Sequence, residues 1–135
     1  MSLPSIRQGE PSPFDAIRRV RADGSEYWSA RELSQVCEYE TWRNFAAAID
    51  RAKLAIENSG DSLSSHVVEA NKLVARPQGG SVALEDYELS RFAGYLVVMN
   101  GDPRKKAIAA AQSYFAIRTR EAETAPAALS REDRL

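Results

Sequence analysis

Cations are concentrated in the last third of the chain, where they could bind phosphate groups. The segment 103–120 contains five Lys or Arg residues and no Asp or Glu. It begins with Asp102-Pro103, a pair typical of a helix start, with Asp as the N-cap and Pro as the first helical residue. The five cations, all of which are candidate DNA contacts, are Arg104, Lys105, Lys106, Arg118 and Arg120.

Three of these cations follow directly after Pro103, at the predicted helix start. Cations at this end oppose the helix dipole, so local helix stability does not explain them. Free amides at a helix start, together with Arg and Lys, are well suited to a phosphate. We therefore predict phosphate contacts here. The alternative is that the three side chains extend into solvent and offset the acidic segment 61–102, which has six carboxylates and three cations.

A second group of cations lies beside a predicted turn near the N-terminus. Residues 22–25, Ala-Asp-Gly-Ser, predict a tight turn because Asp-Gly supplies the positive φ that such turns need. Tyr27 and Trp28 follow in a short predicted strand, so arginines and aromatic rings could contact a nucleic-acid groove together. Equally, the rings could lie in the core and the arginines on a solvated face. The arginines are Arg18, Arg19 and Arg21.

A third group lies on a predicted helix from Trp42 to about Asn58, whose apolar residues recur every three or four positions. Arg43 and Asn44 occupy its first turn, where a recognition helix presents side chains to guanine or adenine edges, and Arg51 follows. A shorter helix over 30–37 precedes it, after a Ser29–Glu32 capping box. The pair resembles a helix-turn-helix in outline, an arrangement also common in proteins that never contact DNA.

The residues of a catalytic or metal site are sparse. The chain has one histidine, His66, and one cysteine, Cys37, and it lacks the motifs of phosphate-binding, dinucleotide-binding or nucleophile-elbow loops. We predict that His66 caps or packs in the core, that Cys37 is a buried filler, and that the carboxylates at 85, 86 and 88 are solvated. The sequence therefore predicts no enzyme, no metal and no cofactor.

Length and composition predict a single globular domain. The chain has 135 residues, of which 44% are hydrophobic and 27% charged, with a net charge of −1. We predict a flexible arm over 1–12, a domain over 13–121 and a disordered tail over 122–135. The absence of a signal peptide, of a membrane-spanning run and of a second cysteine predicts a cytoplasmic location and no membrane partner.

The elements predict an α+β fold, a compact single domain of about four helices with one or two small β-hairpins. One hairpin surrounds the turn at 22–25, and a second joins a strand within 66–75 to a strand within 81–87 around Pro77 to Gly80. Besides the two helices above, a nearly apolar helix is predicted over 89–99 and a last helix from Asp102 to about Glu121.

Several blocks of residues spread over 14–121 form one recognisable pattern. They are 14–20, 26–33, 39, 42–45, 49–53, 57–60, 66, 86–87, 89–92, 100–105 and 112–115. These blocks resemble the BRO N-terminal family, and most closely its branch of damage-inducible protein D and phage antirepressors. The resemblance implies a DNA-binding module, which in the family is often joined to a second domain, and an association with the DNA-damage response and inhibition of the recombinase filament. No second domain is recognisable in this sequence, so the activities that need it are in doubt.

Two functions are compatible with these patterns. The first is a bacterial or phage-related DNA-binding regulator of transcription or of the damage response, acting on single- or double-stranded DNA. The second is a protein-interaction module that docks on a partner such as a recombinase or repressor without contacting DNA. Convergence of the basic segments on one face would favour DNA, whereas interspersed acidic side chains would favour a protein partner. Homodimerisation is compatible with both.

Overall fold

The computed structural model describes residues 12–134, with side chains described up to Thr124. Within these residues it confirms the predicted α+β class, with five helices and two small antiparallel sheets. The predicted arm lies outside the described residues except for Ser12. In chain order the elements are α1 Pro13–Ala16, β1 Arg19–Val20, β2 Glu26–Ser29, α2 Ala30–Val36, α3 Trp42–Asn58, a 3₁₀ turn Leu63–Ser65, β3 Val67–Glu69, β4 Lys72–Ala75, β5 Ser81–Leu84, β6 Tyr87–Leu89, α4 Arg91–Met99 and α5 Lys106–Arg134.

Both predicted hairpins are present. β1 and β2 pair around the Asp-Gly turn, where Gly24 has a φ of 91°, and β4 pairs with β5 around a turn that contains two glycines of positive φ. The larger sheet has the order β1-β2-β6-β3, and Trp28 of β2 and Val67 of β3 both lie opposite Leu89 of β6. Leu89, which we predicted as the first residue of the apolar helix over 89–99, is therefore a central strand residue.

Polar side chains cap the N-termini of four of the described helices, and Ser12 is the cap of α1. The Ser29 hydroxyl accepts from the Glu32 amide at 3.3 Å, Thr41 caps α3, and Ser90 caps α4. Only half of the predicted capping box forms, because the Glu32 carboxylate binds Arg19 rather than the amide of Ser29. These caps satisfy amides that have no partner within the helix.

Aromatic rings fill the space between the sheet and the last helix. Trp28 is fully buried, and its indole N–H donates to the Phe14 carbonyl at 2.9 Å. Its ring lies edge-on to Phe115, with centroids 5.0 Å apart. Tyr27 remains half-buried beneath the Arg21 guanidinium, 4.4 Å from its ring centroid. Of the two alternatives for the hairpin aromatics, the core position is therefore correct for Trp28.

Close packing of α4 on α5 requires a glycine at position 94. A Cβ added to Gly94 would lie 2.8 Å from Cε1 of Phe115, which is fully buried. We expect Gly94→Ala to lower the free energy of unfolding by about 1 kcal/mol, because overpacking costs more than the helix propensity that alanine adds. Urea unfolding measures this. Ser113→Ala, on the exposed side of α5, is the control, and an unchanged or raised stability for Gly94→Ala would contradict the packing.

The start predicted for the last helix is wrong. α5 begins at Lys106, where the first helical bond runs from the Ala109 amide to the Lys105 carbonyl at 2.9 Å. The Asp102 carboxylate instead accepts from the Arg104 amide at 3.0 Å, and the Asp102 carbonyl accepts from the Lys105 amide at 3.1 Å. This local turn competes with the helix for the same backbone groups. Arg104 and Lys105 therefore precede the helix rather than forming its first turn.

The backbone of α5 continues to Arg134, past the end predicted near Glu121. Ala, Glu and Arg are eight of the thirteen residues from 122 to 134 and favour helix, whereas Pro126 within this stretch disfavours it. The division into arm, domain and tail stays a prediction. None of the described helices is both long enough and apolar enough to cross a bilayer.

Candidate nucleic-acid interface

Each arginine of the first hairpin is paired with a carboxylate. Glu26 lies on β2 of the hairpin itself, whereas Glu32 and Glu88 lie on α2 and β6, so two of the three pairs connect the hairpin to other elements of the domain. Acidic side chains are thus interspersed among these cations, the arrangement that favours a protein partner. The pairs are Arg18 with Glu26 at 2.8 Å, Arg19 with Glu32, and Arg21 with Glu88 at 2.7 Å.

Glu26 binds three arginines from three parts of the chain. Arg18 and Arg118 donate to its Oε1 at 2.8 and 2.9 Å, and Arg91 donates to its Oε2 at 3.1 Å. Only 18% of the Glu26 side chain is exposed. Burial disfavours its charged form, but the hydrogen bonds from the arginines outweigh burial and lower the pKa of Glu26. Arg118, a predicted DNA contact, therefore joins α5 to β2 and α4.

The other two basic segments meet at a groove of about 280 Å³ between α3 and the turn before α5. Asn44 and Arg51 line one wall, and Lys105 lines the other. The Arg51 Nε donates to Asn100 Oδ1 at 3.0 Å, which joins the two walls. The remaining lining residues are Cys37, Glu38, Tyr39, Ala47, Asn100, Gly101, Asp102 and Ile108.

The groove contains cations that are not neutralised by ion pairs. Within residues 12–124 no carboxylate pairs with Arg43, Arg51, Lys105 or Lys106, and all four side chains are exposed. Arg43 does not line the groove but precedes Asn44 on the exposed first turn of α3. Lys106 likewise does not line the groove, so an anionic ligand there would meet Arg51 and Lys105 from two parts of the chain, together with the exposed carboxylate of Glu38.

One carboxylate of the groove is already occupied. The Arg104 guanidinium pairs with Asp102 at 2.9 Å, and its hydrogen bonds lower the pKa of Asp102 to about 2. Arg104 therefore forms an exposed local ion pair, whereas its neighbours Lys105 and Lys106 form no ion pair within residues 12–124. Arg120 is exposed on α5, about 22 Å along the helix from Lys105, so the basic segment 103–120 does not form one patch.

Sequence reasoning placed the carboxylates at 85, 86 and 88 in solvent, and this is wrong for two of them. Asp86 is buried, with 6% of its surface exposed. Its carboxylate accepts from the Arg31 amide at 3.0 Å, the Tyr87 amide at 2.7 Å and the Ser29 hydroxyl at 2.9 Å. Glu88 pairs with Arg21. Asp86 lies between β5 and β6, and two of its three partners, Ser29 and Arg31, come from the distant start of α2.

A stacked cluster beside the α3 start was also missed. The Arg31 guanidinium lies over the Trp42 ring, 4.0 Å from its centroid, and the Trp42 indole donates to Glu85 Oε1 at 3.0 Å. The Arg31 Nε donates to the Glu85 carbonyl at 2.7 Å. The Arg31–Trp42 pairing has no short-range sequence signal, because the two residues come from different helices.

His66 and Cys37 have the structural roles predicted for them. The His66 Nδ1 is 2.8 Å from the Ser90 hydroxyl, and its ring lies edge-on to Phe92 at 5.2 Å between centroids. Cys37 is buried, and burial raises the pKa of its thiol to about 12. The thiol is therefore protonated at neutral pH and a poor nucleophile.

Comparison with known proteins identifies one kind of relative. The chain is 47% identical over 113 residues to DNA damage-inducible protein D of Escherichia coli (strain K12). The alignment covers 84% of this chain and 41% of the relative, so the chain spans about two fifths of that protein's length. No protein-family model matches the chain, and no solved structure matches it. The identity supports the predicted resemblance to the damage-inducible protein D branch, while the wider BRO N-terminal resemblance stays a prediction.

Proposed function

We propose that the chain is a DNA-binding regulatory module of BRO N-terminal type that acts in the DNA-damage response and catalyses no reaction. The observation that carries this proposal is the groove, where Asn44 and Arg51 of α3 meet Lys105 without a paired carboxylate on either cation within residues 12–124. The name of the Escherichia coli relative supports the link to DNA damage.

In this proposal the residues at and beside the two walls of the groove have different roles. Lys105 and Lys106 contact phosphates, which position the protein but carry no sequence information. Arg43 and Asn44, on the exposed first turn of α3, face base edges, since Arg suits guanine and Asn suits adenine. Arg51 is held by Asn100 near the same backbone. Affinity should then depend strongly on salt and moderately on sequence.

Fluorescence anisotropy of labelled single- and double-stranded DNA at several salt concentrations tests the proposal. We expect binding that weakens steeply as salt rises, because neutralised phosphates release counterions. Arg43→Ala/Lys105→Ala should weaken binding about tenfold. It should also reduce the salt slope, which is the slope of the logarithm of the binding constant against the logarithm of the salt concentration, by about one for each phosphate that the variant no longer neutralises. The two residues are exposed, so the fold should be unaffected.

A variant of equal charge provides the control. Arg19→Ala/Arg120→Ala also removes two positive charges, but Arg19 already pairs with Glu32 and Arg120 lies on α5 far from the groove. Its binding should stay within about twofold of the parent at moderate salt, where distant charges are screened. Equal losses in both variants would mean that net charge rather than the groove determines binding.

The second candidate function is a protein-interaction module that docks on a recombinase or repressor. The paired arginines of the first hairpin favour this function, since the glutamates that pair with them make that surface a poor binding site for a polyanion. Absence of DNA binding even at low salt would contradict the proposal that the chain binds DNA. A recombinase-filament disassembly assay with purified components would then test this alternative.

A further inference from the structure

A two-stranded ribbon extends beyond the larger sheet. β3 pairs with β6 inside that sheet, the Ala70 amide then donates to the Asp86 carbonyl at 2.9 Å, and β4 pairs with β5 farther out. Within the described residues β4 and β5 pair only with each other. Four paired positions extend about 13 Å before the turn, and every residue from Asn71 to Gly80 is exposed.

The ribbon carries positive charge only. Lys72 and Arg76 are its charged side chains, and the stretch 71–84 contains no Asp or Glu. The ribbon therefore complements a polyanion, in contrast to the first hairpin, where each arginine is paired with a carboxylate.

One face of the ribbon exposes a single large apolar side chain. Leu73 is 74% exposed, and the alternation of the strands puts it on a face with Ala75, Ser81 and Ala83. Among the large apolar side chains of the described residues, Leu73 has the highest exposed fraction, and it contributes nothing to the core.

The root of the ribbon is fixed beside the start of α3. Glu85, which follows β5, accepts from the Trp42 indole at 3.0 Å and from the Tyr87 hydroxyl at 2.8 Å, and its carbonyl accepts from Arg31. Trp42 is the first residue of α3 and directly precedes Arg43. The ribbon is thus anchored next to the helix turn that faces DNA in the proposed function.

We propose that the β4–β5 ribbon is a second DNA-contacting element, which enters a groove of the duplex beside the α3 site. Leu73 packs against the sugars and bases, and Lys72 and Arg76, whose long side chains start from the opposite face of the ribbon, reach the phosphates that border the groove. The major groove of B-DNA admits a two-stranded ribbon, and an apolar side chain there can pack against a thymine methyl group. This inference rests on the proposed DNA-binding function and deepens it by assigning double-stranded DNA as the ligand.

The test combines anisotropy with hydroxyl-radical footprinting on a duplex, using the full chain and two variants. Lys72→Ala/Arg76→Ala should weaken binding about tenfold and reduce the salt slope by about two. Leu73→Ser removes no charge, so it should weaken binding with an unchanged salt slope. Both variants should lose protection at one flank of the footprint. All three side chains are exposed, and circular dichroism checks the fold.

The outcomes separate this inference from the proposed function. One outcome is that the parent binds DNA, that Arg43→Ala/Lys105→Ala weakens this binding, and that both ribbon variants keep the parental affinity, salt slope and footprint. The groove proposal then stands, and the ribbon proposal is wrong. The apolar face would then be assigned to a protein partner. Absence of duplex binding by the parent overturns both. Equal loss in Arg19→Ala/Arg120→Ala, the charge-matched control, also overturns the ribbon proposal.

Discussion

Glu26→Gln is expected to lower the free energy of unfolding by about 3 kcal/mol, because the substitution leaves three arginines without their shared carboxylate. Arg18, Arg91 and Arg118 retain 26% to 36% exposure, so water screens part of their repulsion. The carboxylate itself is only 18% exposed, and little water replaces it. Urea unfolding at neutral pH measures the loss. The loss should be cooperative, because the cluster joins β2, α4 and α5.

The effect should depend on pH in one direction. The pKa of Glu26 is lowered below the ordinary value of 4.5. Its contribution is therefore fully present above the unfolded pKa and is lost as the pH falls through the lower folded pKa. Glutamine does not titrate. The stability gap between the parent and Glu26→Gln should therefore shrink under acid conditions.

Glu32→Gln is the matched control, since it removes one carboxylate that pairs with a single exposed arginine, Arg19. A pair of this kind contributes about 1 kcal/mol or less. If Glu26→Gln costs no more than this control, or if its gap from the parent is constant with pH, the three-arginine cluster does not stabilise the domain.

Most of the fold could be predicted because its signals are local. Each hairpin turn is specified by its own residues: Asp-Gly between two short strands in the first, and two glycines between apolar strands in the second. Two helix starts are likewise specified by Ser29 and Thr41, which precede apolar residues at helical spacing. The start of the last helix was predicted wrongly because the side chain expected to cap the helix bonds to another backbone group. The Asp102 side chain satisfied the Arg104 amide in a tight turn, and this displaced the helix start to Lys106.

The site was harder to predict because charge patterns do not encode pairing. Arg118 and Lys105 come from one carboxylate-free segment, yet Arg118 binds Glu26 across the fold while Lys105 lines the groove. Sequence separation between Glu26 and Arg118 exceeds any helical or hairpin spacing, so only the packed structure identifies the pair. Convergence of α3 with the turn before α5 likewise depends on tertiary packing.

These pairings divide the cations into two groups with different roles. Those that bind carboxylates, such as Arg21 and Arg91, join elements of the domain. Among the cations without such partners within residues 12–124, Arg51 and Lys105 line the groove, and Lys72 and Arg76 lie on the ribbon. A DNA-binding surface built from the second group would leave the first group free to stabilise the fold.

The joint between the ribbon and the helices should depend on Asp86. We expect Asp86→Ala to lower the free energy of unfolding by about 3 kcal/mol, because two amides and one hydroxyl lose a buried acceptor. Asp86→Asn should cost only about 1 kcal/mol, since both amides, of Arg31 and Tyr87, donate to the same oxygen, Oδ1, which asparagine retains. Urea unfolding of both variants measures the difference.

Glu69→Ala, which removes an exposed carboxylate on β3 near the root of the ribbon, is the control and should change stability by no more than about 0.5 kcal/mol. Hydrogen exchange at the Arg31 and Tyr87 amides should be faster in Asp86→Ala, because both amides lose their common acceptor. Equal destabilisation by alanine and asparagine would mean that the negative charge, rather than the acceptor oxygen, holds the joint. In that case the stabilisation would come from the attraction between Asp86 and the cationic side chains around it, of which Arg31 is the first candidate. The hydrogen bonds from the two amides would then not account for it.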